Sequence, residues 1–317
     1  MNSKKPKALV LLSGGLDSIL AVKILQNAGC EVTALSFETP FFNANKARKA
    51  AQNLGIEIIT KDISEIHFPI VQNPPHGFGK NMNPCIDCHG LMFRLAGELA
   101  KKENFQIVAS GEVLGQRPFS QNPTALRTVQ KIAGIEILRP LCAKNLPETS
   151  YEKSGLVDRE KLFDFQSKNR KPQIALAAEF GLKDYPTPAG GCILTEPGYA
   201  RRLREFLERD SDATPEDVRL IRIGRFFPVG ERSFAMIGRG EAENEQLEVL
   251  ESSKIYLIKM QDFVGPTALL RIKKPDDFEK IFPELAQKIR SYGRDSKKFE
   301  GEIAFKIWGK VEMSKII

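Results

Sequence analysis

Up to about residue 110, apolar and polar positions switch repeatedly between a strand pattern and a helix pattern. Residues 8–12 form an unbroken apolar run that stops at Ser13-Gly14-Gly15, which predicts a strand buried on both faces. Residues 17–28 then carry Ile19, Leu20, Val22, Ile24 and Leu25 at helical spacing, closed by Gly29. The same logic predicts strands at 32–37, 57–60 and 106–109, and helices at 44–54 and 92–102. Strand and helix in alternation at this pitch predict an α/β fold, an open parallel sheet with helices on both faces.

The regular pattern lapses between residues 63 and 88, where Pro69, Pro74, Pro75, Gly77, Gly79 and Pro84 fall. So long an irregular stretch inside a compact domain is usually functional. Residues 186–191 are a second turn-rich segment, followed by a basic amphipathic helix at 199–209 and a linker-like stretch at 210–215. From Arg219 onward, strand-like runs (220–223, 234–237, 255–258, 268–272 and 303–307) surround helices at 241–250 and 278–290. This reads as a small α+β domain. The expected organisation is therefore residues 1–210 and residues 216–317, with no internal repeat.

Composition adds boundaries. A chain of 317 residues, 42% hydrophobic and 27% charged, is globular and neither collagen-like nor disordered. No run offers the ~18 uncharged apolar residues of a membrane helix, and the first residues lack the apolar core of an export signal, so a cytoplasmic protein is expected. The net charge of +7 permits a polyanionic partner without demanding one. Five cysteines in such a chain suggest metal or catalytic roles more than a disulfide framework. Cys30 and Cys142 lie in apolar surroundings and read as packing thiols.

Two segments carry candidate chemistry. Ser13-Gly14-Gly15-Leu16-Asp17-Ser18 directly follows a strand and opens a helix, so its backbone N–H groups converge on an anion while Ser13 and Ser18 add hydroxyls. Asp17 could cap the helix or hold Mg2+. The segment lacks both a Gly-Lys-Ser/Thr ending and G-x-G-x-x-G, which excludes a Walker A loop and a dinucleotide fingerprint. The second segment is Asn83-Pro84-Cys85-Ile86-Asp87-Cys88-His89, a C-x-x-C pair just before a helix, with Cys192 as a third thiol further on. Thiols at a helix start are expected to have lowered pKa values. Three cysteines could hold a [4Fe-4S] cluster with one open corner, or act as a persulfide and disulfide pair. His67 reads as structural and His76 as uninformative.

The hexapeptide resembles the PP-loop of ATP pyrophosphatases, which grip the pyrophosphate of ATP and transfer AMP to a substrate oxygen. Ser110-Gly111-Glu112-Val113-Leu114-Gly115-Gln116, continuing to Ser120-Gln121, together with Arg139-Pro140-Leu141 and Gly191-Cys192-Ile193, resembles tRNA 4-thiouridine synthetases of the ThiI type. Asn83-Pro84-Cys85 is also similar to the tRNA 2-thiouridylases. The resemblance implies an ATP site lined by Leu11, Leu12, Ser13, Gly14, Gly15, Asp17, Ser18, Ser36, Phe37, Gly111 and Gln121. It implies catalysis by Asp17, Cys192, Cys88 and Cys85, with ATP, Mg2+ and a [4Fe-4S] cluster or persulfide. The implied reaction is ATP-dependent thiolation of a tRNA uridine to 4-thiouridine or 2-thiouridine. The implied partners are tRNA and a sulfur donor, either a cysteine desulfurase or free sulfide; a homodimer is compatible with the sequence.

In many relatives the position of His89 is Lys or Arg. The family's N-terminal ferredoxin-like and THUMP region is not expected here. Ile223-Gly224-Arg225, the run from Ile237-Gly238-Arg239 to Glu245, and Gly265-Pro266 resemble the RNA-binding domain of the NFACT family, which implies a substitute grip on tRNA. A PP-loop enzyme acting on a small acid or amide would share the first loop, and a non-catalytic RNA-binding protein would share the C-terminal part.

Overall fold

The computed structural model describes residues 5–186, 192–250, 255–272, 278–309 and 313–317. Two compact units divide the chain between Glu196 and Pro197.

The first unit is built on four parallel strands, β1 (Lys7–Leu11), β2 (Glu31–Glu38), β3 (Ile58–Asp62) and β4 (Ile107–Ser110), in the order β3-β2-β1-β4. Ala8 of β1 registers with Val32 on one side and Ile107 on the other. Alternate residues of β1 feed two cores, which is why the run is apolar throughout. Ala8 and Val10 pack with α1 (Leu16–Asn27), with α2 (Asn45–Leu54) through Ala47 and Ala51, and with Leu176 and Ala177. Leu9 packs on the opposite face with Leu35, Phe93, Ala96 and Val129. The expected α/β sheet with helices on both faces is what the chain forms.

The irregular stretch is shorter than its prolines suggested. It contains α3 (Ser64–Gln72), with Pro69 inside, and α4 starts at Cys85 and runs to Lys102, seven residues before the expected start. The apolar period of α4 is interrupted by Asp87, His89 and Gly90, and packing explains the glycine. A Cβ on Gly90 would lie 2.5 Å from the Ile132 side chain of α5 (Pro123–Ala133), so the two helices approach closely only because it is absent. Two short helices, α6 (Ser150–Lys153) and α7 (Lys171–Glu179), complete the unit.

The second unit is a six-stranded antiparallel sheet in the order β10-β9-β7-β8-β6-β5. Its strands are β5 (Arg225–Val229), β6 (Ser233–Ile237), β7 (Ile255–Met260), β8 (Ala268–Arg271), β9 (Ala304–Trp308) and β10 (Met313–Ile316). Its helices are α8 (Pro197–Arg209), α9 (Pro215–Leu220), α10 (Glu241–Glu248) and α11 (Phe278–Tyr292). Ile281, Phe282, Leu285 and Ile289 of α11 bury against Ile258, Leu270 and Ile307. The run 220–223, expected as a strand, is instead the end of α9 and the turn after it. Thr214 and Asp217 form a reciprocal capping box that starts this helix. The strand follows at Arg225, and Pro228 is tolerated within it because β5 is at the sheet edge.

The division between units also lies earlier than the expected 210–216. Phe206 of α8 meets Phe234 at 5.1 Å and Phe226 at 6.4 Å, so this helix packs with the second unit. Residues 210–215 are no loose linker. Asp210 is fully buried and accepts a 2.7 Å bond from Arg271 Nη1, while Asp217 takes the other edge of the guanidinium through two 3.0 Å bonds. Phe206→Leu stays apolar but gives up some buried volume and the edge-on aromatic contacts, so it should cost about 1–2 kcal/mol. Trp308, the one tryptophan, lies in β9 and reports this unit alone, so urea unfolding followed by its fluorescence checks the value.

Candidate active site

The strand order reverses direction between β1 and β4, and ligands of open parallel sheets bind at the carboxyl ends of the strands at such a switch point. Both strands here end in the segments singled out by sequence. Beyond β1, Gly14 adopts φ +77°, and a Cβ on it would lie 2.4 Å from the Lys46 carbonyl, so the loop presses against the start of α2. Gly15 occupies the cap position of α1 with no side-chain cap, so the first N–H groups of the helix have no capping side chain. Asp17 therefore does not cap. Ser13 and Ser18 hold the loop together, their hydroxyls 3.2 Å apart and Ser18 Oγ donating to Gly15 O at 2.8 Å.

Beyond β4, Gly111 lies against this loop so tightly that a Cβ would stand 2.5 Å from the backbone of Asp17 and Ser18. Asp17 Oδ2 accepts from Gln116 Nε2 at 2.9 Å and from Arg170 Nη2 at 3.2 Å. Among the described residues, Asp17 Oδ1, Gln116 Oε1 and Arg170 Nε in this cluster are buried without a partner, as is Gln121 Oε1 further along the segment after Gly111. Unpaired buried polar groups are costly and ask for an explanation, and a polar ligand supplies one. Leu12, Ser36, Phe37 and Gln121 are buried and Leu11 half-buried at the ends of β1 and β2 or in the loop after Gly111. Phe37 belongs to the apolar core of the α4 face.

The thiols converge within the same unit. Cys85 and Cys88 sit in the first turn of α4, and Cys192 just before a short 3₁₀ turn. Asn81 Nδ2 donates to Thr195 O at 2.7 Å, Thr195 Oγ donates to Cys192 O at 2.7 Å, and Asn83 Nδ2 donates to Cys85 Sγ at 3.3 Å. These asparagines hold the Cys192 segment to the Cys85 loop. Cys88 lies within electrostatic reach of both other thiols. For Cys88 the expected lowering of thiol pKa is not found. Burial pushes Cys88 well above the ordinary value, with Cys192, Cys85 and Asp87 adding to it, and burial raises Cys192 to about 11. Dehydration outweighs the helix N-terminus here. Cys30 and Cys142 are buried as expected, Cys142 raised to about 11 by the same cause.

Among the described residues no three His, Cys, Asp or Glu side chains gather closely enough to hold a single metal ion. Three thiols are, however, the donor chemistry of an iron–sulfur cluster, which spans a wider triangle than one ion, and the nearby Asp87 is taken up by His76. At the loop, Asp17 Oδ1, buried and unpaired, fits a hard cation such as Mg2+.

Three histidines acquire roles that local sequence did not disclose. His67 is wholly buried between Phe41 and Phe42, its Nε2 3.2 Å from Cys88 Sγ, and burial lowers its pKa to about 4. His76 binds Asp87 through its ring at 2.6 Å and its backbone N–H at 3.0 Å, pinning the loop to α4. His89 Nδ1 lies 2.8 Å from Glu112 Oε1, and Arg139 Nε donates to Glu112 Oε2 at 2.9 Å. Burial would raise the Glu112 pKa, but Arg139 and His89 together hold it down to about 2. Glu112 directly follows Gly111, so this buried group ties the thiol-bearing helix to the segment lying on Asp17. Arg170 is the residue that sequence reading missed, since it belongs to no local motif and reaches Asp17 across 153 residues.

Residues 3–148 match the family described as "Thiamine biosynthesis protein (ThiI)". The match spans a little under half of the chain. It covers β1 through the Arg139-Pro140-Leu141 turn, and so the loop, the C-x-x-C pair and Glu112. Over 146 residues the chain is 29% identical to a "Probable tRNA sulfurtransferase" of Moorella thermoacetica, spanning 43% of this chain and 36% of that protein. Over 151 residues it is 28% identical to a protein of the same description from Anoxybacillus flavithermus, spanning 45% of this chain and 36% of the relative. The chain thus aligns with about a third of the length of these curated relatives. Among solved structures, a predicted subunit of tRNA methyltransferase from Methanocaldococcus jannaschii shares 18% identity at a TM-score of 0.38, covering 55% of this chain and 76% of that one. A 4-thiouridine synthetase–RNA complex with bound ATP shares 18% at 0.37, covering 56% and 50%. Cys192 and Arg170 lie beyond the matched segment. No described helix is long and apolar enough to cross a membrane.

Proposed function

We propose that this chain is an ATP-dependent tRNA sulfurtransferase acting in the cytoplasm. The reading is carried by one connection: Gly111 rests on Asp17 while the next residue, Glu112, is bound by His89 beside Cys88, which couples a phosphate-type loop to a trio of thiols.

In this reading the C4 (or C2) carbonyl oxygen of a uridine attacks the α-phosphate of ATP, and pyrophosphate departs toward the N–H groups of residues 13–18. Asp17 would hold Mg2+, whose charge offsets that developing on the phosphates. The O-adenylated base is then electrophilic at carbon. The terminal sulfur of a persulfide on Cys192 attacks that carbon and AMP leaves. A C-x-x-C thiol next attacks the Cys192 sulfur, releasing the thiolated base and leaving a protein disulfide that an external thiol must reduce. A [4Fe-4S] cluster, if bound by Cys85, Cys88 and Cys192, would instead supply an open iron site for the sulfur. The second unit is read as the grip on RNA. Arg225 lies 4.7 Å over the Tyr292 ring, and Lys288 lies 5.3 Å from the rings of Phe227 and Tyr292, a basic and aromatic surface of the kind on which bases stack.

The test is anaerobic incubation with unmodified tRNA, ATP, Mg2+ and a thiol reductant, with sulfur supplied either as sulfide or as sulfane sulfur from a cysteine desulfurase and cysteine, followed by mass spectrometry of the nucleosides and assay of AMP. Thiouridine together with tRNA-dependent AMP is the expected result. AMP formed equally without tRNA would replace the reading with a small-molecule substrate. Iron near four per chain, lost on Cys85→Ala, Cys88→Ala or Cys192→Ala, with activity on sulfide, would select the cluster route; iron-free protein active with the desulfurase and not with sulfide would select the persulfide.

A further inference from the structure

Arg170 stands at the start of α7, outside the ThiI segment and outside every motif in the sequence. Its position is built, and the construction begins at the segment lying on the loop. Leu114 pairs with Gln166 in a parallel bridge, and Ser167 N donates to Leu114 O at 2.9 Å. Ser167 itself takes φ +79°, an uncommon conformation for a residue with a side chain, and it turns the chain back toward the loop. Asn169 Oδ1 then accepts from Lys171 N at 3.1 Å, and α7 packs on α1 through Leu176 and Ala177. The outcome is a guanidinium delivered to Asp17 from a separate part of the chain.

The guanidinium is under-used where it lies. One Nη2 donor meets Asp17 Oδ2, while Nε is buried without a partner. Three residues on, and so on the same side of α7, Gln173 is wholly buried with neither its amide oxygen nor its nitrogen bonded. Arginine is always charged and offers a planar fork suited to two oxygens of one phosphate. A cation drawn to Asp17 would displace this arginine and leave its charge unbalanced in a half-buried site, where a phosphate oxygen is the fitting acceptor.

We propose that Arg170 is a specificity-determining residue of the nucleotide site: it pairs with Asp17 in the nucleotide-free protein and passes to the β,γ-phosphates when a nucleoside triphosphate binds. The inference rests on the nucleotide reading of the loop. It adds this side chain to the loop in selecting ATP over AMP, since AMP lacks the β- and γ-phosphates that would receive it.

Calorimetric titration of ATP, ADP and AMP, each with Mg2+, into the full-length wild type, Arg170→Ala, Arg170→Gln and Arg170→Lys tests it. The Ala and Gln variants should bind ATP about 10- to 100-fold more weakly, of the order expected for a lost charge-assisted fork, with AMP affinity changed less than about twofold. Lys should recover part of the loss, and melting temperatures show whether each variant is folded. Equal weakening of ATP and AMP in folded variants, or ATP binding as tight as in wild type, overturns the inference and leaves the nucleotide reading in place. A wild type that takes up no nucleotide overturns both.

Discussion

Asp17→Asn is expected to lower ATP-to-AMP turnover by about a thousandfold or more while leaving the protein folded. The side chain keeps its shape, and the first unit keeps its apolar core contacts, because Asp17 lies in the first turn of α1 and outside the apolar clusters. What is lost is the one negative charge that can hold a cation at the start of α1, together with the partner of Arg170. An amide also turns an N–H toward Gln116 Nε2 or Arg170, so the donors now face a donor. The measurement is release of AMP and pyrophosphate in the presence of tRNA, alongside a melting curve. A lower melting temperature with unchanged turnover per folded molecule would assign Asp17 to the fold and remove it from the chemistry.

Glu112→Ala should destabilise the first unit by about 3–5 kcal/mol, the loss expected when one partner of a buried ion pair is removed. Arg139 is buried, its Nη2 already lacks a partner, and without Glu112 its charge has no acidic partner among the described residues. His89 loses its acceptor at the same time, so α4 is released from the end of β4. Hydrogen exchange of the α4 and β4 amides reads the loss directly, and the Trp308 transition of the second unit is the internal control. The same group predicts a pH dependence. Its folded pKa of about 2 lies below the ordinary carboxylate value, so its stabilisation is full above about 4.5 and is lost as the pH falls through about 2. Acid unfolding of the first unit should therefore steepen below pH 4.5, and Glu112→Gln should flatten that limb. Parallel acid limbs in the two proteins would mean that Arg139 and His89 do not hold the carboxylate down.

How much of this was legible beforehand depends on whether the deciding interaction is local. β1, α1 and β2 were read closely because a strand buried on both faces and a helix closed by glycine leave their period in consecutive residues. α4 was read seven residues short because its first turn carries Asp87, His89 and Gly90, which serve the His76 contact, the Glu112 contact and the Ile132 packing. β5 was displaced because Pro228 argues against a strand until the strand is known to be an edge. The capping box at Thr214 and Asp217 was in plain view and would have identified α9. The acidity expected of a thiol at the start of α4 is reversed at Cys88 by burial, which no spacing reports.

From the chain's own order of residues came the strand, loop and helix that open the first unit, the α/β class, and the inventory of Asp17, Cys85, Cys88 and Cys192. Those are consequences of local pattern, where neighbours three or four positions apart share a face. The tertiary structure alone decided that Arg170 meets Asp17, that Glu112 sits between Arg139 and His89, and that Asn81 clasps the segment after Cys192. Each of these joins residues about 20 to 150 positions apart, and sheet order and helix packing bring them together across distances that no local period records.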